Sequence, residues 1–212
     1  MSKTIYIGDQ PVGEGHPCFI VAEAGVNHNG EPELAKKLIA SAKECGADAV
    51  KFQKRTVEDI LIKEALEKPY ERPTALAATY GEHRKKLELS EDTWRELRDF
   101  AKEKGITFFA SAWDKKSADF LDELDTPVFK IASADVTNLP LLEHIAEKKK
   151  PIIMSTGMSS LEEVDEAVET VLARNKDLIL MHCVSDYPCA EDKVNLRMLD
   201  VLKKRYNLPI GY

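Results

Sequence analysis

Two lysines stand inside short apolar runs, Lys51 in AVKFQ and Lys130 in VFKIAS. An ammonium group with apolar neighbours must find an anion or lose its charge. Two of them suit one small ligand that carries phosphate and carboxylate. Ser133, Ser155 and Ser185 stand at or just beyond the ends of apolar runs and add hydroxyl donors. The alternative is that each lysine pairs with an internal carboxylate, such as Glu23, and only stabilises the fold. Glu23 lies in CFIVAEAG, where a period of two puts Phe19, Val21 and Glu23 on one face. A carboxylate facing the interior there is costly unless paired, and at an exposed strand end it would merely cap the next turn. Gln53 shares the face of Lys51 and can orient a hydroxylated substrate. Gly25, Asn27, His28 and Gly30 form a polar turn that can bring further donors to a ligand.

Two other motifs carry chemistry by residue type. STGM, residues 155–158, ends a strand and opens a helix, so its free backbone N–H groups can hold an oxyanion, or it is an ordinary N-cap. HCVSDYPC collects His182, Cys183, Asp186 and Cys189, which are metal-ligand types. Adjacent strand residues face opposite ways, however, so His182 and Cys183 fit core positions better than one ion. Tyr187, before Pro188, presents a ring to a sugar. The charge runs KKLE, AEKKK and LKKRY read as solvated helix faces.

These residues must be positioned by strands that alternate with helices. A polar start, TIYIGDQPVGEGHP, predicts a short hairpin. After it come seven apolar strands, CFIVAEAG, DAVKFQ, ITFFASA, PVFKIAS, PIIMSTG, DLILMHCVS and LPIGY, separated by six helical segments. The first helix, PELAKKLIASAKECG, sets Leu34, Leu38 and Ile39 on one face, with Gly46 beyond its end. Such alternation is the signature of parallel βα units. Polar residues at the end of strand after strand (Glu23, Lys51, Lys130, Ser155, Ser185) favour a (β/α)8 TIM barrel over an open sheet, which gathers its site near one switch point. A closed barrel needs eight strands, so the expectation is one domain over 1–212, incomplete after its seventh strand. More than thirty residues separate DAVKFQ from the helix that begins near Glu91, against the roughly 2 to 6 usual for such a loop. As a strand-to-helix connection it lies on the face where barrels do chemistry, as a cover or a helical insertion.

The 212 residues are 43% hydrophobic and 32% charged, the balance of a soluble globular chain. A net charge of -7 argues against nucleic-acid or anionic-membrane partners, which are held by clustered Lys and Arg. No apolar stretch approaches the roughly 20 residues that span a bilayer. Four cysteines without a CxxC pair, and a start lacking the apolar run of a signal peptide, predict a reduced, cytoplasmic protein.

Through FIVAEAGVNHNG, DAVKFQ, TYGEHRKKLELS, KIASADVTNLP, PIIMSTGMSS and HCVSDYPC, the sequence resembles the sialic-acid synthase family over nearly its whole length. The resemblance implies a (β/α)8 barrel followed by a small antifreeze-protein-like domain that is absent from this chain. It implies phosphoenolpyruvate binding by Lys51, Lys130, Ser133, Ser155 and Ser185, the last standing where some relatives have Asn. Glu23 would lie by the metal and the aldehyde, with Gln53 and Tyr187 towards the sugar. Asp135 stands where well-known members carry a Glu that moves a proton, so Glu23 and Asp135 are the catalytic candidates. The family's divalent metal, manganese or magnesium, is held by two histidines in sequence following the IGY-like strand. No metal ligand is therefore expected within these residues. The complete enzyme is expected to be a homodimer.

The implied reaction condenses phosphoenolpyruvate with N-acetylmannosamine or a related amino sugar to give a sialic, legionaminic, pseudaminic or spore-coat acid, or a sialic acid 9-phosphate. The reading from another class is an inactive phosphoenolpyruvate-binding or structural remnant.

Overall fold

The computed structural model describes residues 3–212, so the first two residues of the expected domain lie outside the described residues. The chain divides into two compact units, one of Phe19–Thr126, the other of the segment up to Cys18 with Pro127–Tyr212. The expected hairpin is present: β1 (Ile5–Ile7) pairs antiparallel with β2 (Gln10–Val12) through a turn in which Gly8 takes a positive φ of 57°. Alternation buries Ile5 and Ile7 and leaves Tyr6 exposed.

The Phe19–Thr126 unit runs β3 (Val21–Gly25), α1 (Pro32–Glu44), β4 (Ala49–Lys54), α2 (Val57–Ile60), α3 (Lys63–Leu66), α4 (Tyr80–Leu87), α5 (Glu91–Lys104), β5 (Thr107–Ala112) and α6 (Lys115–Glu123). Its three strands are parallel in chain order, with Glu23 opposite Lys51 and Gln53 opposite Ser111. Local signals set the helix ends. Pro opens α1; Ser90 Oγ accepts the Thr93 N–H at the start of α5, and Gly105 ends it at φ 67°. On α1 the buried stripe is Ala35, Ile39 and Ala42; Leu34 and Leu38, expected to share the buried face with Ile39, are half-buried at its flanks. Two small alanines and Ile39 are what reach the core.

Trp94 of α5 fixes which way the strand faces point. It is fully buried and meets Phe52 of β4 and Phe108 of β5 edge-on, at 6.2 and 5.8 Å between ring centroids. Phe52 and Phe108 therefore face the helix, and alternation turns Lys51, Gln53, Phe109 and Ser111 to the opposite face.

In the second unit the hairpin is followed by β6 (Phe129–Ile131), a 3-10 turn at Ser133–Asp135, α7 (Leu139–Glu147), β7 (Ile152–Ser155), α8 (Leu161–Leu172), β8 (Leu178–Met181), a second 3-10 turn at Glu191–Lys193, α9 (Met198–Tyr206) and β9 (Ile210–Gly211). These strands too are parallel and adjacent in chain order. Lys130 is in register with Ile153, which sets Lys130, Ile153 and Ser155 on one face; Phe129, Ile131, Ile152, Met154, Leu178 and Leu180 are fully buried on the other. A reciprocal capping box, Ser160 with Glu163, starts α8 at Leu161. Helix α9 is clasped to α8 by Asp165, which accepts from Arg205 Nε at 2.7 Å and from the Tyr206 hydroxyl at 2.8 Å. Those donors, the guanidinium first, hold the Asp165 carboxyl down at about 2. Lys3 with Asp177, and Lys203 with Glu14, fasten the N-terminal segment within the same unit. Among the described residues no helix is long and apolar enough to cross a membrane, and all four cysteines are free thiols.

The long connection after β4 is not structureless: α2, α3 and α4 fill it. Its two ends are stapled. Glu88, just past α4, accepts the Arg55 backbone N–H at 3.3 Å on one oxygen and Arg55 Nε at 2.8 Å on the other. Asp114, the N-cap of α6, also takes the Thr56 N–H at 2.7 Å and the Thr56 hydroxyl at 3.0 Å. The turn after β3 docks on the end of α4 so closely that a Cβ at Gly30 would lie 2.1 Å from the Lys86 carbonyl oxygen. Arg55 is only 2% exposed, and its Nη1 and Nη2 have no hydrogen-bond partner among the described residues, so Glu88 carries the compensation of a buried cation. Burial pulls the Arg55 guanidinium below its ordinary value, against the pull of Glu88. Breaking such a pair costs about 3–5 kcal/mol, whereas an apolar pair of similar volume is roughly neutral. Glu88→Ala is therefore expected to destabilise the protein by about that amount in urea titrations, and Arg55→Met with Glu88→Leu to recover most of the loss. Equal stability of the single variant and the unsubstituted chain would refute the staple.

Candidate functional site

In the first unit the polar residues of β3 and β4 converge. Lys51 is 7% exposed, and its Nζ lies 2.5 Å from Glu23 Oε2 and 3.2 Å from Ser111 Oγ. The pairing of a lysine with an internal carboxylate, one of the two sequence readings, thus holds for Lys51. Glu23 is placed differently from the expected inward row: its side chain is 54% exposed, and Val21 is half-buried. The cause is local. The register shifts between Glu23 and Gly25, and Gly25 takes φ 56°, which ends the pleat and turns the carboxylate to the strand's open end. A Cβ at Gly25 would meet Glu23 Oε1 at 3.1 Å and Gln53 Nε2 at 3.6 Å, so the carboxylate and the Gln53 amide sit over the same glycine. Ser111 was missed in the sequence; its signal was the alternation of TFFASA, which sets it across from Gln53.

The next turn is held by His28, 1% exposed, whose Nδ1 accepts the Gly30 N–H at 3.1 Å and whose ring leans on Phe52. Burial first, and the charge of Arg55 second, hold its pKa down at about 4. It is a neutral structural acceptor at pH 7.

In the second unit Lys130 is 8% exposed and donates to Ser155 Oγ at 2.6 Å and to the Ile131 carbonyl at 2.7 Å. Ser133, in the turn after β6, accepts the Gly157 N–H at 3.1 Å. Ser185, beyond β8, closes on the same glycine: a Cβ there would lie 2.7 Å from Ser185 Oγ and 2.9 Å from Ser133 Oγ. A hydroxyl has one proton and two lone pairs. Ser155 and Ser133 each accept from a fixed N–H, which leaves their own protons to point at a ligand. Two hydroxyls ordered in this way, with the Ser185 hydroxyl close by and the positive charge of Lys130 beside them, have the chemistry of an oxyanion site.

The expectation that STGM opens a helix is corrected. Helix α8 begins at Leu161 under its Ser160 cap, and the Gly157 N–H is engaged by Ser133 rather than offered to an anion. Asp135 closes the 3-10 turn after β6 and is 8% exposed. Tyr187, 93% exposed, stands on the loop beyond β8. His182 is buried, and its Nε2 lies 2.7 Å from the Val194 carbonyl, a partner that gives it a structural role. Among the described residues no group of three or more His, Cys, Asp or Glu is placed to hold a metal ion.

The sequence model of the NeuB family matches residues 38–212. The chain is 44% identical to the human N-acetylneuraminate-9-phosphate synthase over 95% of its own length and 56% of that protein. It is 43% identical to the N,N'-diacetyllegionaminic acid synthase of Legionella pneumophila over 97% of its length and 59% of that protein. Among solved structures, the N-acetylneuraminic acid synthetase of Leptospira borgpetersenii, crystallised with citrate, superposes with a TM-score of 0.88 at 33% identity, over the whole of this chain and 70% of that one. That likeness establishes the (β/α)8 barrel-type fold. The chain spans less than two thirds of the length of these two sequence relatives.

A histidine whose folded pKa is lowered takes up fewer protons than the unfolded chain at intermediate pH, so its contribution to stability is complete above about 6.5 and is lost as pH falls to about 4. Thermal unfolding of the unsubstituted protein and of His28→Asn across this range is expected to show a gap that narrows with acidification. A gap constant with pH would show that His28 is not the group responsible.

Proposed function

The chain belongs to the NeuB family, and on that premise we propose that it forms the phosphoenolpyruvate-binding part of a synthase that joins phosphoenolpyruvate to an amino-sugar aldehyde. The observation that carries this reading is the cluster beside the positive charge of Lys130, in which the Ser155 and Ser133 hydroxyls accept from fixed N–H groups and keep their own protons for a ligand. Phosphate is the oxyanion best suited to several convergent donors. The human and Legionella relatives are named as synthases of two different products, N-acetylneuraminate 9-phosphate and N,N'-diacetyllegionaminic acid. N-acetylmannosamine and its relatives are accordingly the sugars to test.

In the proposed reaction C3 of phosphoenolpyruvate attacks the aldehyde carbon and a C–C bond forms. Water adds its oxygen at C2, and phosphate departs with its bridging oxygen. Lys130, Ser133, Ser155 and Ser185 hold the phosphate, and the family resemblance assigns Lys51 to phosphoenolpyruvate as well. Groups fixed before the reaction stabilise developing charge without having to reorganise. Glu23, exposed at its strand end and held by Lys51, is the candidate to orient the aldehyde or deliver the proton that its oxygen gains, and Asp135 is the second proton-transfer candidate. Gln53 and Tyr187 are assigned to the sugar. The described residues do not make a metal site, so no step is derived through an ion; the resemblance puts the ligands for manganese or magnesium in sequence that follows residue 212 in the family. A homodimer is proposed on the same resemblance.

Phosphate release with phosphoenolpyruvate, manganese and N-acetylmannosamine tests the reading, run on these 212 residues and on a longer chain that includes the sequence following them in the relatives. Turnover by the longer chain alone is expected. Lys130→Met should weaken phosphoenolpyruvate binding about 10- to 100-fold, the worth of a charged hydrogen bond. Failure of either chain to bind phosphoenolpyruvate by calorimetry would overturn the proposal. Binding without turnover by any amino sugar would favour the inactive-remnant reading.

A further inference from the structure

We propose that Gly157 is a positioning residue, kept without a side chain so that Ser133 and Ser185 can close on one point with their hydroxyls directed to the ligand. The inference rests on the reading of that cluster as the phosphate site. The reason for the glycine is not its backbone. Its φ lies outside the left-handed region, unlike Gly25, Gly30 and Gly105, so an L side chain fits the local conformation. The left-handed position of this turn belongs instead to the next residue, Met158, at φ 62° and 70% exposed. A turn that used glycine only for conformational freedom would place it at 158.

What excludes a side chain at 157 is the approach of other groups. A Cβ would lie 2.7 Å from Ser185 Oγ, 2.9 Å from Ser133 Oγ and 3.2 Å from the Cys183 carbonyl oxygen. The first two are ends of rotatable side chains and can swing away, and the third requires a shift of a few tenths of an ångström. Alanine at 157 therefore leaves the fold intact and displaces the two hydroxyls. The Gly157 N–H adds a second constraint, because its bond to Ser133 Oγ takes up an acceptor site and leaves the Ser133 proton for a phosphate oxygen.

The test is calorimetric binding of phosphoenolpyruvate, with melting temperature as the control for folding. Gly157→Ala is expected to melt within a few degrees of the unsubstituted protein and to bind phosphoenolpyruvate about tenfold or more weakly, the loss of one well-placed hydrogen bond. In a Ser185→Ala background the same substitution should cost clearly less, because one displaced group is already gone. Met158→Gly, which only relieves the turn, should leave affinity unchanged. Unchanged affinity in Gly157→Ala, or an equal cost in both backgrounds, would overturn the inference and leave the phosphate site standing. If the unsubstituted protein does not bind phosphoenolpyruvate, the reading of the site falls and the inference with it.

Discussion

Burial of an ammonium group is the constraint on which the candidate site depends. Lys51 and Lys130 each sit on a parallel strand with less than a tenth of their surface exposed, and in that environment a charge is tolerated only if nearby groups replace its hydration. Lys51 is answered by a carboxylate, Glu23, from the neighbouring strand and by the Ser111 hydroxyl. Lys130 donates to a hydroxyl and a backbone carbonyl. The pairing of a lysine with an internal carboxylate therefore describes Lys51, with Glu23 on the neighbouring strand.

Glycines and turns finish what the strands begin. Gly25 takes a left-handed conformation that lifts Glu23 out of the pleat, so the carboxylate reaches Lys51 from the open end of β3. At Gly157 the conformation is ordinary and the crowding is not. The same element, a missing Cβ, thus serves backbone geometry in one unit and close approach in the other. The insertion after β4 is fastened where it leaves and returns, by Arg55 with Glu88 and by Asp114 with Thr56, so its three short helices hang from a fixed neck beside the strand that carries Lys51 and Gln53.

Much of this was legible in the chain itself. Seven apolar runs with helical segments between them gave the strands and the order in which they pair within each unit, because a parallel βα repeat has few other ways to bury its faces. Lys51, Lys130 and the serines were conspicuous because polar residues at strand ends are costly without a purpose. Less legible were features that depend on partners distant in sequence. Arg55 reads as one more charge after a strand, and nothing in KRTVED shows that it is buried against Glu88. On α1 the leucines looked like the core together with Ile39, yet Ala35 and Ala42 share the buried stripe with Ile39 and the leucines lie at its flanks. STGM looked like a helix start, yet the cap that competes best for α8 is the Ser160 and Glu163 pair five residues on from Ser155.

The sequence alone determined the class of fold, the elements and the residue types available for chemistry, since hydrophobic period and capping residues are local properties. Tertiary structure decided which of those residues meet. Glu23 became the partner of Lys51, Ser111 joined them, Gly157 became the point on which Ser133 and Ser185 close, and His182 was committed to the Val194 carbonyl. Each of these depends on strand register and on the approach of distant backbone, where a shift of one residue would turn every side chain of a strand to the other face.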